Sequence, residues 1–232
     1  MNKFRSLLTG LLLLGTASAA HAGPIELLTN GDFEAGTFAG WSVTSSGGSS
    51  SASINNGTYL PLGPTGTNAP IGGFYDAIFD QSGPGVATIF ELIISLPTTT
   101  VTSAIFSWDH IIENHHSSYF LPGSEGGAGF GQLFRALVTD GAGTTLVDAF
   151  TSTAVNTTFG VLQNNSVDLT TFVNANLGAT IGIQFENRAE SWFMTTQLDN
   201  ASFLVEVPEP GIFTLLSIGL ASLLGFRRKN YS

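Results

Sequence analysis

One stretch of the sequence concentrates the side chains that could do chemistry: FSWDHIIENHHSSYF, residues 106–120. Paired acidic and imidazole groups can transfer protons, and histidines clustered in a short segment can recruit zinc or copper. The candidates for these roles are Asp109, His110, Glu113, His115, His116 and Tyr119. Their spacing matches neither H-E-x-x-H nor another metal-ligating pattern, so an ordinary strand followed by a loop remains the alternative interpretation.

The strand geometry expected for this stretch argues against a catalytic pair. If residues 106–112 form a strand, alternate side chains point to opposite faces of the sheet. His110 then shares a face with Trp108, whereas Asp109 points to the other face. A catalytic dyad between Asp109 and His110 is therefore disfavoured.

Other catalytic motifs are not found in the sequence. There is no G-x-S-x-G elbow, and the glycine-rich GGAGFG at residues 126–131 opens an apparent strand, which is the wrong context for a nucleotide site. The chain has no cysteine, which excludes disulfides, thiolate nucleophiles and zinc-thiolate sites. A pair of carboxylates for glycoside cleavage remains open, because spacing in sequence does not give distance in space.

Three aromatic residues are candidates for binding a ligand without catalysis. The rings of Trp108, Tyr119 and Trp192 offer flat faces on which sugar rings could stack. The alternative is core packing, which is favoured for Trp108 because it lies in an apolar strand. Trp192 lies among polar residues between two strands, so it is the better candidate for an exposed binding residue.

Most of the chain reads as short strands separated by turns. In ATIGIQFEN the apolar residues Ile181, Ile183 and Phe185 alternate with Gly and polar residues, which is the period of a half-buried strand. Residues 131–150 read as a hairpin, and residues 44–57, rich in serine and glycine, read as a flexible loop. The predicted fold class is all-β, an antiparallel β-sandwich.

The charge distribution restricts the partners of this predicted domain. Residues 23–207 hold 16 acidic residues against two basic ones, Arg135 and Arg188, a net charge of −14. Nucleic acid is excluded as a partner, because its binding depends on Lys and Arg. Carboxylates suit hard cations such as calcium, although a solubilising acidic surface is an equally good explanation.

The N-terminal segment has the three regions of a secretory signal peptide. Lys3 and Arg5 precede an apolar stretch centred on residues 11–14, and Ala20-His21-Ala22 is a small-x-small cleavage site. We expect residues 1–22 to be a signal peptide cleaved after Ala22, with a retained helix as the alternative.

The C-terminal segment reads as a membrane helix. Residues 211–226 are uncharged and apolar, and Arg227, Arg228 and Lys229 follow immediately. The positive-inside rule keeps that basic cluster cytoplasmic, so the predicted β domain is outside. A buried core helix and a permanent anchor are the alternatives.

Pro208-Glu209-Pro210, one hydrophobic span and a basic end that includes Arg227 and Arg228 together resemble the PEP-CTERM sorting signal. The resemblance covers residues 208–232. It implies that the membrane protease-transpeptidase exosortase of a Gram-negative bacterium binds this tail transiently. It also implies that the precursor sits in the inner membrane and is cut near residues 208–210, then released or attached at the surface.

The start of the predicted domain carries a second resemblance. NGDFE at residues 30–34, followed by Gly40-Trp41, is similar to the first strand of galactose-binding-like jelly rolls, the fold of many carbohydrate-binding modules. In that family a structural calcium often joins the first and last strands. The resemblance implies that Glu34, Asp199 and a carbonyl near Gly31 hold calcium, and less directly Asp32, while a simple turn is the alternative for Asp199.

These observations predict three segments: the signal peptide 1–22, a β-sandwich ectodomain 23–207 and the sorting signal 208–232. The predicted function is that of an exported, non-catalytic protein of the cell surface or exopolysaccharide matrix that binds carbohydrate. The competing functions are a secreted hydrolase acting on polysaccharide and a purely structural or adhesive surface protein.

Overall fold

The computed structural model describes residues 23–62, 66–93, 95–114, 131–153, 156–189 and 193–208. The predicted signal peptide 1–22 and the predicted membrane helix 211–226 lie outside the described residues. Residues Pro24–Val207 form one compact unit. In the described part of the chain, no helix has the length and apolarity needed to span a membrane.

The compact unit consists of two antiparallel sheets that enclose one hydrophobic core. The elements, in chain order, are β1 (Ile25–Glu26), β2 (Ser42–Ser46), β3 (Ser49–Asn55), β4 (Asp76–Ser82), β5 (Gly85–Ile93), β6 (Ser103–Asn114), β7 (Gln132–Asp140), β8 (Thr145–Thr151), β9 (Gln163–Asp168), α1 (Thr170–Ala175), β10 (Ile181–Ala189) and β11 (Phe193–Glu206). Sheet A has the order β3-β4-β11-β6-β9, with β1 also paired to β11, and sheet B has the order β2-β5-β10-β7-β8.

The core forms because apolar side chains alternate along the central strands of both sheets. Ile181, Ile183 and Phe185 of β10 are almost fully buried. They belong to the same core cluster as Phe106 and Phe203 of sheet A. The ring centroids of Phe106 and Phe185 lie 5.8 Å apart. The predicted antiparallel β-sandwich is confirmed, and so is the β7–β8 hairpin.

Strand β11 organises the rest of the domain. It is 14 residues long and pairs with β1, β4 and β6. A bulge interrupts its pairing with β6 between Asp199 and Ser202, and Asn200 within it has φ 51°. Such a bulge changes the direction in which a side chain projects. Asn200 is thereby presented at the middle of sheet A.

The prediction that residues 44–57 form a flexible loop is wrong. Most of the segment belongs to β2 and β3, which are edge strands of the two sheets. Strand β3 pairs with β4 from Ser49 to Asn55. Backbone hydrogen bonds hold these strands, and an edge position tolerates small polar side chains because it faces solvent.

Candidate functional site

The first and last strands of the domain are joined by one carboxylate. Glu26 Oε1 accepts hydrogen bonds from the backbone N–H groups of Leu28, at 2.9 Å, and Phe203, at 2.8 Å. Its Oε2 accepts a hydrogen bond from the Ser202 hydroxyl. A little further on, the Gly31 carbonyl accepts a hydrogen bond of 2.9 Å from the Ala201 N–H. The turn after β1 is therefore fixed against the bulge of β11.

A polar cleft of about 390 Å³ lies along this junction. It is lined by Glu26, Leu28, Asn30, Gly31, Asp32, Asn200, Ala201 and Ser202. Its volume lies within the range of small-molecule sites, roughly 300–1,000 Å³. Carboxylate, amide and hydroxyl groups dominate the lining, so the cleft suits a ligand rich in hydroxyl groups better than an apolar one.

Two of the predicted calcium ligands, Glu34 and Asp199, are close enough for their charges to interact. Asp199 is only 2% exposed, and the charges of Asp76 and Glu34 act on it. Burial is the main reason that the pKa of Asp199 is raised to about 7, and these two like charges raise it further. Burial likewise raises the pKa of Asp76 to about 6. Asp199 therefore lies within electrostatic reach of two other carboxylates, whose charges oppose its ionisation.

The side chains near Asp199 fit calcium only in part. Glu34 Oε1 accepts hydrogen bonds from the N–H groups of Phe74 and Tyr75, at 2.8 and 3.1 Å, and Asp32 Oδ1 accepts one from the Glu34 N–H. Among the described residues, no group of three or more acidic or histidine side chains converges on one metal position. Calcium also binds carbonyl and water oxygens. Glu34 and Asp199 therefore fit it only with backbone oxygens, such as that of Gly31, completing the shell.

An exposed polar row crosses the outer face of sheet A beside Asp199. Asp109 of β6 pairs directly with Asp199, so the two side chains share that face. The Asp109 carboxylate accepts hydrogen bonds from the amides of Asn200, at 2.9 Å, and Asn164. We call Asn164, Asp109 and Asn200 the amide row. Their remaining donors and acceptors lie at the surface.

His110 lies on the opposite face, as the strand period predicted. It is fully buried against Phe134 and Phe150, with ring centroids 5.0 and 5.2 Å away. Its Nδ1 accepts a hydrogen bond of 3.2 Å from Trp108 Nε1, which places the proton of the neutral ring on Nε2. Burial lowers the pKa of His110 to about 4. Asp109 and His110 point apart, so these two residues do not form a catalytic dyad.

Trp108 is a core residue and not a ligand-binding one. It is 1% exposed and packs against the rings of Phe106 and Phe185. The core alternative therefore holds for Trp108, because its strand directs it between the sheets. The other two aromatic candidates, Tyr119 and Trp192, lie outside the described residues, as do His115 and His116.

The structure describes only the first residue of the predicted sorting signal. Pro208 is exposed and follows the end of β11 at Glu206 by two residues. Glu209, Pro210, Arg227 and Arg228 lie outside the described residues.

Sequence reasoning missed one exposed aromatic residue. Phe74 is 79% exposed, in the segment IGGFYD that leads into β4. The sequence signal was available, since the preceding Gly-Gly pair marks a turn and turns run over the surface of a protein. The amide row was also missed, because its members come from three different strands.

Comparison with known proteins gave one motif match. Residues 206–229 match the PEP-CTERM protein-sorting motif. This match confirms the resemblance carried by Pro208-Glu209-Pro210 and the basic end. No curated protein matches the chain.

Three solved structures illustrate the likeness of the fold. One is a structure on the promiscuous specificity of carbohydrate-binding modules from the β-sandwich superfamily, with 8% identity and a TM-score of 0.49 over 80% of this chain and 63% of that one. TmCBM61 in complex with β-1,4-galactotriose has 14% identity and a TM-score of 0.48 over 78% of this chain and 99% of that one. The Stig cyclase Fisc from Fischerella sp. TAU has 14% identity and a TM-score of 0.49 over 81% and 100%. At these values the likeness carries no functional information.

Proposed function

We propose that this chain is an exported protein that exosortase processes at its C-terminus and that then works at the cell surface or in the exopolysaccharide matrix. The match of residues 206–229 to the PEP-CTERM sorting motif carries this proposal. The motif implies export, and anchoring in the membrane before processing.

The position of the motif suits a protease that needs an extended substrate. Strand β11 ends at Glu206, and Pro208 is already exposed. The two prolines fix their own φ angles and bias their neighbours toward extended conformations. The prolines therefore predict an extended substrate backbone at the motif, and cutting at residues 208–210 removes none of the described strands of the two sheets.

Deleting exosortase from the producing strain is expected to change the mature C-terminus. Mass mapping of the protein from the parent strain should find a terminus near residues 208–210, whereas the deletion strain should retain the peptides of residues 211–232. The matched variant Glu209→Ala in the parent strain should accumulate the same precursor. Identical termini in the parent and deletion strains would refute exosortase processing.

We propose further that the domain binds carbohydrate without catalysis. The polar cleft at the β1–β11 junction and the amide row both present groups that hydrogen-bond hydroxyls. The stretch richest in catalytic residue types separates Asp109 from His110 on opposite faces. A hydrolase acting on polysaccharide is the competing function, and a structural surface protein is the third.

Calcium is proposed as a structural ion held by Glu34 and Asp199 with backbone oxygens. It would offset the repulsion among Glu34, Asp76 and Asp199 and tie the turn after β1 to β11. Metal binding needs the charged form of Asp199, whose pKa is raised to about 7. Calcium affinity should therefore fall as the pH is lowered below 7.

The Gly23–Val207 fragment contains every strand that the structure describes and the core cluster, so it is suited to a binding screen. We expect it to bind at least one polysaccharide, the producer's own included, more tightly in calcium than in chelator and with no release of cut sugars. Isothermal titration measures the affinity in calcium and in chelator, and product analysis measures any release of cut sugars. Released sugars would establish the hydrolase, and no binding at all would favour the structural role.

A further inference from the structure

The geometry points to a sugar-binding subsite at the outer face of sheet A, formed by Phe74 and the amide row and selective for neutral glycans. This inference rests on the proposed carbohydrate binding and adds to it the residues and the class of glycan. In it, a sugar ring stacks on the Phe74 ring while its hydroxyl groups hydrogen-bond to Asn200, Asp109 and Asn164.

Hydrogen bonds to Glu34 hold the turn that carries the exposed Phe74. Glu34 Oε1 accepts hydrogen bonds from the N–H groups of Phe74 and Tyr75. Gly73 has φ +50°, and a Cβ there would come within 2.1 Å of Glu34 Oε1. The Tyr75 ring packs over Gly36. With Tyr75 packed against Gly36 and the backbone tied to Glu34, the turn holds the backbone of Phe74 in place and leaves its exposed ring open for stacking on a sugar.

The turn that carries Phe74 contacts the bulge of β11 next to the amide row. A Cβ at Gly72 would lie 3.1 Å from Asp199 Oδ2 and 3.7 Å from Asn200 Nδ2, so Gly72 touches the bulge of β11. Phe74 is two residues after Gly72, so their Cα atoms are at most roughly 7 Å apart. A short oligosaccharide can therefore contact the ring and the row together.

The row itself suits pairs of hydroxyl groups. Asp109 accepts one hydrogen bond from each flanking amide, which fixes all three planar groups across β9, β6 and β11. Each amide keeps its carbonyl oxygen and one N–H for a ligand. Fixed planar donors and acceptors bind hydroxyls with little loss of side-chain freedom.

Charge determines which glycans fit. Asp109 is the charged group of the amide row whether or not calcium is bound at Glu34 and Asp199, and no Lys lies between residues 23 and 207. Uronate or sulfate groups would be repelled, and the carboxylate of Asp109 can only accept hydrogen bonds. The subsite therefore suits a neutral polysaccharide whose hydroxyl groups donate to Asp109.

The test uses the full chain, purified in a detergent that contains no sugar, with β-glucan, β-galactan and α-mannan as neutral probes and alginate and polygalacturonate as acidic ones. We expect wild type to bind a neutral probe and neither acidic probe. Phe74→Ala should weaken that binding about tenfold or more, and Phe74→Tyr should restore it, since the ring is what binds. Asn164→Ala, on an exposed edge strand, should weaken it several-fold.

Leu60→Ala is the matched control, because Leu60 is 68% exposed and lies in the same connection between β3 and β4, where the neighbouring Tyr59 and Leu62 hydrogen-bond to Asp80 and not to the amide row. It should bind like wild type, and all variants should keep the wild-type melting temperature. Neutral binding unchanged in Phe74→Ala, or preference for an acidic probe, would overturn the subsite while keeping carbohydrate binding. If wild type binds no probe, both the subsite and the proposed carbohydrate binding are overturned.

Discussion

Replacing Gly31 by alanine is expected to lower the free energy of unfolding by about 3 kcal/mol. The added Cβ would lie 1.8 Å from the Ala201 carbonyl oxygen and 2.8 Å from its carbon. Both are backbone atoms of β11, so no side chain can rotate to relieve the overlap. The turn after β1 or the bulge of β11 must move, which breaks the Ala201 N–H to Gly31 carbonyl bond.

Urea unfolding in chelator, followed by the fluorescence of the buried Trp41 and Trp108, measures this loss. Gly66→Ala is the control, because a Cβ at Gly66 meets nothing within 4 Å. Its midpoint should stay within a few tenths of a kcal/mol of wild type or rise slightly, since alanine restricts the unfolded chain. Equal midpoints for Gly31→Ala and wild type would contradict the close junction of the two strands.

Acidification from pH 6.5 to pH 4 is expected to cost the domain up to about 3 kcal/mol through His110 alone. Burial holds the pKa of His110 at about 4, below its ordinary value of 6.5. In this window the unfolded chain binds a proton that the folded domain does not, so stability falls as the pH falls. The stability from neutral His110 is fully present above pH 6.5 and is lost as the pH falls toward 4.

Two carboxylates act in the opposite direction and must be separated from this effect. The raised pKa values of Asp76 and Asp199, about 6 and 7, mean that the folded state takes up their protons first. Their contribution to stability therefore rises as the pH is lowered from 7 toward 4. The stability of wild type as a function of pH therefore combines a loss from His110 with a gain from these two carboxylates.

His110→Phe isolates the histidine. Phenylalanine fits among the rings of Phe134 and Phe150 but gives Trp108 Nε1 and Asn165 no acceptor, a cost that does not depend on pH. The unfolding free energy of wild type minus that of the variant should fall by about 3 kcal/mol as the pH is lowered from 6.5 to 4. A difference that is constant over this range would show that His110 is not held neutral by burial.

The sequence by itself determined the features that depend on local order. The alternation in β6 placed Trp108 and His110 on one face and Asp109 on the other, because a strand reverses its side chains at every residue. The sorting signal was equally local, since its prolines, apolar span and basic end act in that order along a single segment. The all-β class followed from the same alternation, summed over many short strands.

Tertiary structure alone decided what lies beside what. Asn200 and Asp109 are 91 residues apart in sequence and Asn164 and Asp109 are 55 apart, and only the order of strands in sheet A brings them into one row. The burial of Trp108, the exposure of Phe74 and the contact of Gly31 with Ala201 have the same origin. Alternation tells which face a side chain takes, but strand order and the packing of connections decide what covers that face. That is why the serine-rich segment 44–57 became two edge strands held by backbone hydrogen bonds, to which its composition gave no clue.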